Sequence, residues 1–271
     1  AAIVLVEAEI WPNLFWQARG ADVSVHLVNA RLSEKSFRGY RRFGFLFRPL
    51  FAVLQSAGVH NEVDAKRLAE LGTDSKAISV TGNMKFDGAF EAGADAVDAR
   101  ALLCKLGVAD NAPVLVAGST FDGEEILLAE LLPKWRETFP DLFLVLVPRH
   151  FERAGAVLEQ LKSTQLKVAR RSAMEAVAAT PDVLLVDSTG ELKSFFAVAT
   201  VVFMGKSITA QGGQNPIEPA ALGRAIVFGP FMQNFRAVVA ELLAAKGAVQ
   251  VADEAELAVK IPVLLGDLAQ R

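Results

Sequence analysis

Residues 142–150 read LFLVLVPRH, six apolar residues followed by proline, arginine and histidine. A near-continuous apolar run without alternation is typical of a strand that is buried on both faces of a parallel sheet. Comparable short runs, rich in Val, Ile and Leu, recur along the chain and end in polar or glycine-containing turns. These runs are residues 3–6, 23–28, 52–55, 78–80, 114–117, 183–186, 201–204, 225–228 and 249–251.

Stretches with apolar residues at three- and four-residue spacing separate most of these runs, which indicates amphipathic helices. They cover residues 61–71, 123–139, 151–162, 191–198 and 235–246. Short buried strands that alternate with helices predict an α/β fold with parallel sheets.

A change of pattern near residues 87–100 predicts a domain boundary. Residues 87–95 read DGAFEAGAD, which is rich in small and acidic residues, and a new strand pattern starts at Val114. We therefore expect two domains, residues 1–90 and residues 91–271. The first apolar run begins at once, without an opening cap. Because a buried strand needs neighbours at its edges, we expect the first domain to be incomplete.

Composition excludes several classes of function. Hydrophobic residues make up 52% of the 271 residues, which is ample for packed cores. The net charge of -3 provides no basic field for nucleic acid. The single cysteine, Cys104, excludes an internal disulfide framework, and the scattered histidines predict no metal site. The sequence also contains no run of about 20 apolar residues that could cross a bilayer.

Residues 212–223, GGQNPIEPAALG, form the strongest candidate ligand-binding segment. The two glycines permit unusual backbone angles and close approach of a ligand. Asn215 is predicted to cap a helix whose first position is Pro216, with Ile217 next. Glu218 would then lie in the first turn, where backbone N–H groups and a carboxylate could meet phosphate or ribose. A capped helix with a dipole-stabilising glutamate fits the pattern equally well.

Three other strand ends carry candidate residues. Pro148 and Arg149 end the run at 142–147, where arginine could grip phosphate or carboxylate or could pair with a neighbouring acid. Ser188 or Thr189 is predicted to cap the next helix, so that the N–H groups of Gly190 and Glu191 face a ligand. Ser119 and Thr120 could admit a phosphate or a sugar carboxylate, and plain helix capping explains them equally well.

In the first domain, acidic and basic side chains also follow the apolar runs. Glu7 and Glu9 are two residues apart, so in an extended chain their carboxylates would point the same way. Arg31 ends the next run, and Lys85 follows the last run before the boundary. Their clustering at strand ends predicts a site there.

Residues 31–51 combine six basic residues, one acidic residue and six aromatic rings, a local net charge of +5. A basic and aromatic surface can bind anionic lipid head groups. The same composition also fits an ordinary helix with phenylalanines in the core and a solvated basic face.

Several of these strings, taken in order and spacing, resemble one family, the 3-deoxy-D-manno-octulosonic acid (Kdo) transferases of lipopolysaccharide synthesis. The strings are EAEIWPN at 7–13, NARLS at 29–33, GY at 39–40, TGNMKFD at 81–87, VPRH at 147–150 and GGQNPIEPAA at 212–221. The resemblance extends from the first residues to about residue 265.

The resemblance implies a GT-B-type fold, in which two Rossmann-like domains with parallel sheets face each other across a cleft. Residues 91–271 would bind the donor, CMP-Kdo, and residues 1–90 the acceptor, a lipid A precursor. The implied reaction is inverting transfer of Kdo without a metal or a cofactor, with cations and helix N-termini stabilising the leaving CMP. The implied location is the cytoplasmic face of the bacterial inner membrane, peripheral or N-terminally anchored in the full-length protein.

The resemblance also implies roles for individual residues. Glu7 and Lys85 match positions that stabilise the transition state. The CMP site would be lined by Pro148, Arg149, Gly190, Glu191, Leu192, Asn215, Pro216, Ile217 and Glu218, and we add Ser119 and Thr120 from their position at a strand end. The acceptor and the anionic membrane surface would meet Arg31, Arg38, Arg41 and Arg42.

Two departures from the family's pattern bear on activity. The family's general base is a glutamate that precedes the first strand seen here, so no residue of this chain is assigned to it. We expect the opening part of the first domain, with its membrane anchor, and the last helix to be absent, so that this chain turns over poorly. Gln214 stands where the family usually has histidine, and it hydrogen-bonds without carrying a titratable charge.

Two other functions fit the residues. A GT-B transferase that uses a UDP-sugar would need the same glycine turn and first-turn glutamate. A non-enzymatic, two-lobed α/β binding protein is the second alternative, although such proteins are usually exported and no export signal is expected here. Dehydrogenase chemistry is not expected, because no G-x-G-x-x-G follows a strand.

Overall fold

The computed structural model describes residues 1–7, 10–84, 97–176 and 180–271. The chain divides into two compact units, Ala1–Gly88 (unit 1) and Ala89–Arg271 (unit 2). The division into an acceptor domain, 1–90, and a donor domain, 91–271, concerns roles as well as boundaries and stays a prediction.

Unit 1 contains a four-stranded parallel sheet whose strands follow one another in chain order. The strands are β1 (Ala2–Val6), β2 (Ser24–Ala30), β3 (Leu54–Val59) and β4 (Ile78–Val80). The helices are α1 (Pro12–Gly20), α2 (Glu34–Arg42), α3 (Gly44–Phe51) and α4 (Glu62–Leu71), with a 3-10 turn at Ser75–Ala77. Local sequence explains the helix ends. For example, the Asn61 side chain accepts the Asp64 N–H at 3.0 Å and caps α4.

Unit 2 contains a seven-stranded parallel sheet with the order β11-β10-β9-β5-β6-β8-β7. Its strands are β5 (Val114–Thr120), β6 (Phe143–Pro148), β7 (Val168–Arg170), β8 (Val183–Leu185), β9 (Val201–Met204), β10 (Ala225–Phe228) and β11 (Val249–Gln250). Its helices are α5 (Ala99–Lys105), α6 (Glu124–Arg136), α7 (Ala154–Leu161), α8 (Leu192–Val198), α9 (Ile217–Ala221), α10 (Arg236–Ala244) and α11 (Glu254–Gly266). Short 3-10 turns lie at Phe151–Arg153, Lys162–Thr164, Arg171–Ala176 and Gln233–Phe235.

Both faces of the unit 2 sheet are covered, as the apolar runs predict. Along β5, Val114 and Val116 pack into one core with Phe196, whereas Leu115 and Ala117 pack into the other with Trp135. Successive strand residues point to opposite faces, so a strand between two cores must be apolar throughout. The predicted α/β class with parallel sheets is therefore confirmed.

Several elements differ from the sequence prediction, which did not include helices α1 and α5. The run predicted at 52–55 is a strand only from Leu54, because Ala52 and Val53 close the end of α3. Strand β7 was not predicted, since three residues with one buried side chain leave little apolar signal. Helix α11 was not predicted either; the Asp253 side chain caps it by accepting the Glu256 N–H at 2.9 Å.

Candidate functional site

The carboxyl ends of the unit 2 strands bring the predicted donor residues to one edge of the sheet. The chain runs from β5 to β6 on one side and later returns to place β9 on the other side of β5. The strand order therefore reverses between β5 and β9. In open α/β sheets, ligands bind outside the carboxyl ends of the strands at such a reversal.

Arg149 lies at this edge, directly after strand β6. Its backbone N–H donates to the Thr120 carbonyl at 3.0 Å, which ties the end of β6 to the end of β5. The side chain is exposed, and no other described residue forms a hydrogen bond or ion pair with it. From the sequence, Arg149 could either bind a ligand or pair with a neighbouring acid. The described residues include no such acidic partner. His150 packs its ring edge-on against Phe121, with centroids 6.2 Å apart.

Thr120 and Arg153 both hydrogen-bond to Glu125 in the first turn of helix α6. The Thr120 hydroxyl donates to the Glu125 carboxylate at 2.9 Å, and Arg153 donates to the same oxygen at 3.0 Å. Burial raises the pKa of Glu125, and the Arg153 guanidinium opposes this shift. Ser119 is 7% exposed and has a left-handed φ of 53°. Neither residue caps α6, whose N-cap is Gly123.

Glu124 holds the loop after β9, and the sequence analysis missed it. Its carboxylate is fully buried and accepts four backbone N–H groups, from Phe121 at 2.9 Å, Lys206 at 2.7 Å, Ser207 at 2.9 Å and Ile208 at 3.1 Å. Two adjacent glutamates at a helix start look like ordinary dipole stabilisation. Nothing local distinguishes the glutamate that reaches another strand's loop.

The loop after β8 is braced by ion pairs. Arg171 donates to both Glu191 carboxylate oxygens, at 2.8 and 3.1 Å, and the Ser188 hydroxyl donates to Glu191 at 2.5 Å. Helix α8 begins at Leu192 with Glu191 as its N-cap, so the prediction that Ser188 or Thr189 caps it is wrong. The reason is that the Ser188 hydroxyl is bound to Glu191. Gly190 is exposed, with a φ of 83°.

Asp187 braces the start of the same loop. It accepts from the Arg170 guanidinium at 2.6 Å and from the Ser172 hydroxyl at 2.6 Å. Burial raises the pKa of Asp187, but the bonds from Ser172 and Arg170 outweigh it and the pKa lies below its usual value. The sequence analysis missed both Arg170 and Arg171 because they lie before the loop that they hold.

The glycine-rich segment, residues 212–223, folds back on Lys206, near the start of the loop after β9. The Gly213 N–H donates to the Lys206 carbonyl at 2.9 Å, and a Cβ at Gly213 would lie 2.4 Å from the Met232 sulfur. Only glycine therefore fits at 213 without displacing its neighbour, and its φ of 74° adds to this requirement.

Helix α9 starts one residue later than predicted. Its N-cap is Pro216 and its first residue is Ile217, so the prediction of Asn215 as N-cap is wrong. The Asn215 side chain instead accepts the Ile217 N–H at 3.1 Å, a turn that asparagine forms readily two residues ahead. Glu218 lies in the first turn, as predicted, and no described residue pairs with its carboxylate.

In unit 1, Glu7 and Arg31 line one small cavity together with Asp64. Glu7 has a left-handed φ of 63° and donates its N–H to the Val28 carbonyl at 3.0 Å. The predicted extended geometry of the 7–9 pair is therefore wrong at Glu7, because the chain turns there. Glu9 and Lys85 lie outside the described residues.

His60, at the end of β3, adds a group that the sequence analysis did not single out. Its Nε2 hydrogen-bonds the Asn29 side-chain oxygen at 2.8 Å, and the Met84 N–H donates to the same oxygen at 2.9 Å. Burial lowers the pKa of His60; the nearby Arg31 acts in the same direction, and Asp64 and Glu7 oppose it.

The basic segment, residues 31–51, has both buried and exposed aromatic side chains. Phe37, Leu50 and Phe51 are buried, as an ordinary core face requires. Phe43, Phe45 and Leu46 remain 49%, 78% and 49% exposed. Beside them, the cations lie on the outer surface of α2. Arg38 pairs with Glu34 at 2.8 Å, Arg41 lies over Phe37, and Arg42 lies over Phe43.

Among residues 1–7, 10–84, 97–176 and 180–271, no helix combines the length and the apolar character needed to cross a membrane. No group of three or more His, Cys, Asp or Glu side chains there could hold a metal ion. The absence of a metal from the reaction stays a prediction.

Comparison with known proteins identifies the family. A family model described as 3-deoxy-D-manno-octulosonic-acid transferase (kdotransferase) matches residues 1–88. The crystal structure of the C-terminal CMP-Kdo binding domain of WaaA from Acinetobacter baumannii is 30% identical, with a TM-score of 0.55. It covers 62% of this chain, and the chain covers 86% of it. The chain belongs to the Kdo transferase family.

A curated relative agrees with this, and a more distant structure supports the predicted GT-B-type fold. The 3-deoxy-D-manno-octulosonic acid transferase of Bordetella pertussis is 35% identical over 255 residues, 92% of this chain and 58% of that protein. The UDP-GlcNAc 2-epimerase of Methanocaldococcus jannaschii shares only the fold, with 14% identity and a TM-score of 0.59 over 98% of this chain and 70% of its own. The chain spans 55–60% of the length of the first curated Kdo transferases that it matches.

Proposed function

We propose that this chain is the greater part of an inverting, metal-independent glycosyltransferase that moves Kdo from CMP-Kdo to a lipid A precursor. The observation that carries the proposal is the Arg149 guanidinium at the strand-order reversal of unit 2, which no described residue pairs, in a chain of the Kdo transferase family. An uncompensated cation at a strand end is a ready partner for phosphate. The similar domain of Acinetobacter baumannii WaaA is described as CMP-Kdo binding, which supports CMP-Kdo as the donor.

In the proposed donor site, some residues contribute their side chains and others contribute only backbone groups. Arg149 and Glu218 have no described partner, so their side chains are available to the nucleotide. The Glu191 carboxylate and the Thr120 hydroxyl are already bound within the protein. We therefore assign the loops around them a backbone role. The remaining donor-site candidates are Ser119, Pro148, Gly190, Leu192, Asn215, Pro216 and Ile217.

The proposed chemistry is a single displacement at the anomeric carbon. An acceptor hydroxyl oxygen bonds to that carbon while its bond to the phosphate oxygen breaks, and CMP leaves with the electron pair. The hydroxyl proton passes to a general base that we assign to no residue of this chain. Arg149 and backbone N–H groups would stabilise the negative charge on the leaving phosphate. Glu7 and Lys85 are proposed to stabilise the transition state by family resemblance, and Lys85 lies outside the described residues.

We further propose that unit 1 binds the lipid A precursor at an anionic membrane surface, on the cytoplasmic face of the bacterial inner membrane. Arg31 is exposed directly after strand β2, where it could meet an acceptor phosphate. Arg38, Arg41 and Arg42 lie instead on helix α2, near the exposed Phe43 and Phe45. Cations beside exposed aromatic rings favour anionic lipid head groups.

Nucleotide binding measured by isothermal titration calorimetry tests the donor assignment. We expect CMP to bind and UDP to bind much more weakly. A clear preference for UDP would replace the proposal with a UDP-sugar transferase, and absence of binding to either would favour a non-enzymatic binding protein. Transfer itself is tested by mass spectrometry of a lipid A precursor incubated with CMP-Kdo and the full-length enzyme, where a mass increase of Kdo is expected.

A further inference from the structure

Lys206 occupies the loop after β9, directly at the strand-order reversal of unit 2. Its φ of 56° is left-handed, which is uncommon for a residue with a side chain. Such a conformation persists only where the surrounding structure enforces it, and it is concentrated at functional sites. Lys206 is therefore held in place rather than left to solvent.

The buried Glu124 carboxylate provides that enforcement. It accepts the Lys206 N–H at 2.7 Å together with the next two N–H groups, of Ser207 and Ile208. On the other side, the Lys206 carbonyl accepts the Gly213 N–H at 2.9 Å. The backbone at 206 is thus clamped between helix α6 and the glycine-rich segment.

The clamped backbone directs the Lys206 side chain between Phe121, which follows Thr120, and Gly212, which begins the glycine-rich segment. Its Nζ lies 5.0 Å from the centre of the Phe121 ring. Its Cε lies 3.7 Å from the position that a Cβ on Gly212 would take. The side chain is half-buried, and no carboxylate among the described residues pairs with it. By contrast, Arg153 also lies over Phe121 but is paired with Asp122 and Glu125.

We propose that Lys206 binds an oxyanion of the sugar nucleotide, either its phosphate or the carboxylate of its acidic sugar, and that Glu124 is the positioning residue for it. This inference rests on the proposed function. A half-buried ammonium with an aromatic face on one side and no carboxylate partner attracts an anion more strongly than a solvated surface lysine does. Arg149 and Lys206 then flank the end of β5 from β6 and β9, so one anion could meet both.

Calorimetry with cytidine, CMP and CMP-Kdo tests the assignment on the whole chain. We expect Lys206→Met to weaken CMP-Kdo binding by about tenfold or more, as expected for loss of a charge-assisted bond, and to leave cytidine binding unchanged. If CMP binding falls as well, Lys206 binds the phosphate; if only CMP-Kdo binding falls, it binds the sugar carboxylate. Lys206→Arg should retain most of the affinity because it keeps the charge.

The matched control is Lys134→Met, which removes the same charge from an exposed position in the last turn of α6, remote from the carboxyl edge where that helix begins. It should bind like the wild type. Lys206→Met that binds CMP and CMP-Kdo like the wild type would overturn the inference. So would Lys206→Arg that is folded, by its melting temperature, yet as weak as Lys206→Met. A wild-type chain that binds neither ligand would overturn the proposed function and this assignment with it.

Discussion

At the residue scale, substitution of Arg149 tests whether its guanidinium binds the ligand. Removing a charge-assisted hydrogen bond costs about 1.5–3 kcal/mol, so Arg149→Ala should weaken CMP binding by roughly 10- to 150-fold. Because the side chain has no described partner, the melting temperature should not change. Calorimetry and thermal melting measure the two effects. Unchanged affinity would remove Arg149 from the site.

The pKa of His60 makes a second prediction at this scale. Burial lowers the pKa of His60 from its ordinary 6.5, so the folded state favours the neutral ring. Between the two pKa values the unfolded chain binds more protons, and stability must fall as pH drops below about 6.5. Histidine NMR titration should show His60 titrating below 6.5, and His60→Gln should remove that part of the pH dependence of unfolding. A His60 pKa above 6.5 would contradict the burial argument.

At the element scale, helices α2 and α3 combine cations with exposed apolar side chains. We expect the chain to bind vesicles containing phosphatidylglycerol more strongly than pure phosphatidylcholine vesicles, and the binding to weaken as salt rises, because salt screens exposed charges. Phe45→Ser should weaken binding without unfolding the chain, since Phe45 is 78% exposed. Vesicle co-sedimentation measures both effects.

The matched control for this prediction is Val259→Ser on helix α11 of unit 2, where the side chain is 62% exposed. It removes an exposed apolar group outside the basic segment and outside unit 1, and it should leave vesicle binding unchanged. Equal binding to neutral and anionic vesicles would show that α2 and α3 form only an ordinary surface.

At the scale of the whole molecule, every candidate donor residue lies in unit 2, which has its own two-sided sheet and its own cores. Unit 2 produced alone should therefore melt cooperatively and bind CMP with the affinity of the whole chain. Circular dichroism and calorimetry test this. A folded unit 2 that does not bind CMP would show that residues of unit 1 complete the donor site.

Sequence reasoning succeeded where the signal is local. The apolar run at 142–147 and its terminal Arg149 were predicted together, because burial on both faces and the end of a strand are both visible in neighbouring residues. The helix cap predicted at Asn215 was wrong by one residue, and the cap predicted at Ser188 or Thr189 was also wrong. In both places a side chain that favours helix caps made a different local hydrogen bond. Competing bonds of similar strength are not distinguished by residue type alone.

By itself, then, the sequence determined the parallel α/β class, the strand ends at which polar groups collect and, through its ordered motifs, the family. Only the tertiary structure decided which charged groups are still free. Arg171 is paired with Glu191, 20 residues away, and Glu124 is bound to Lys206, 82 residues away, whereas Arg149 has no described partner. Burial patterns repeat over a few neighbouring residues, but a charge is neutralised by whichever groups the folded chain brings within a few ångströms, whatever their separation in sequence.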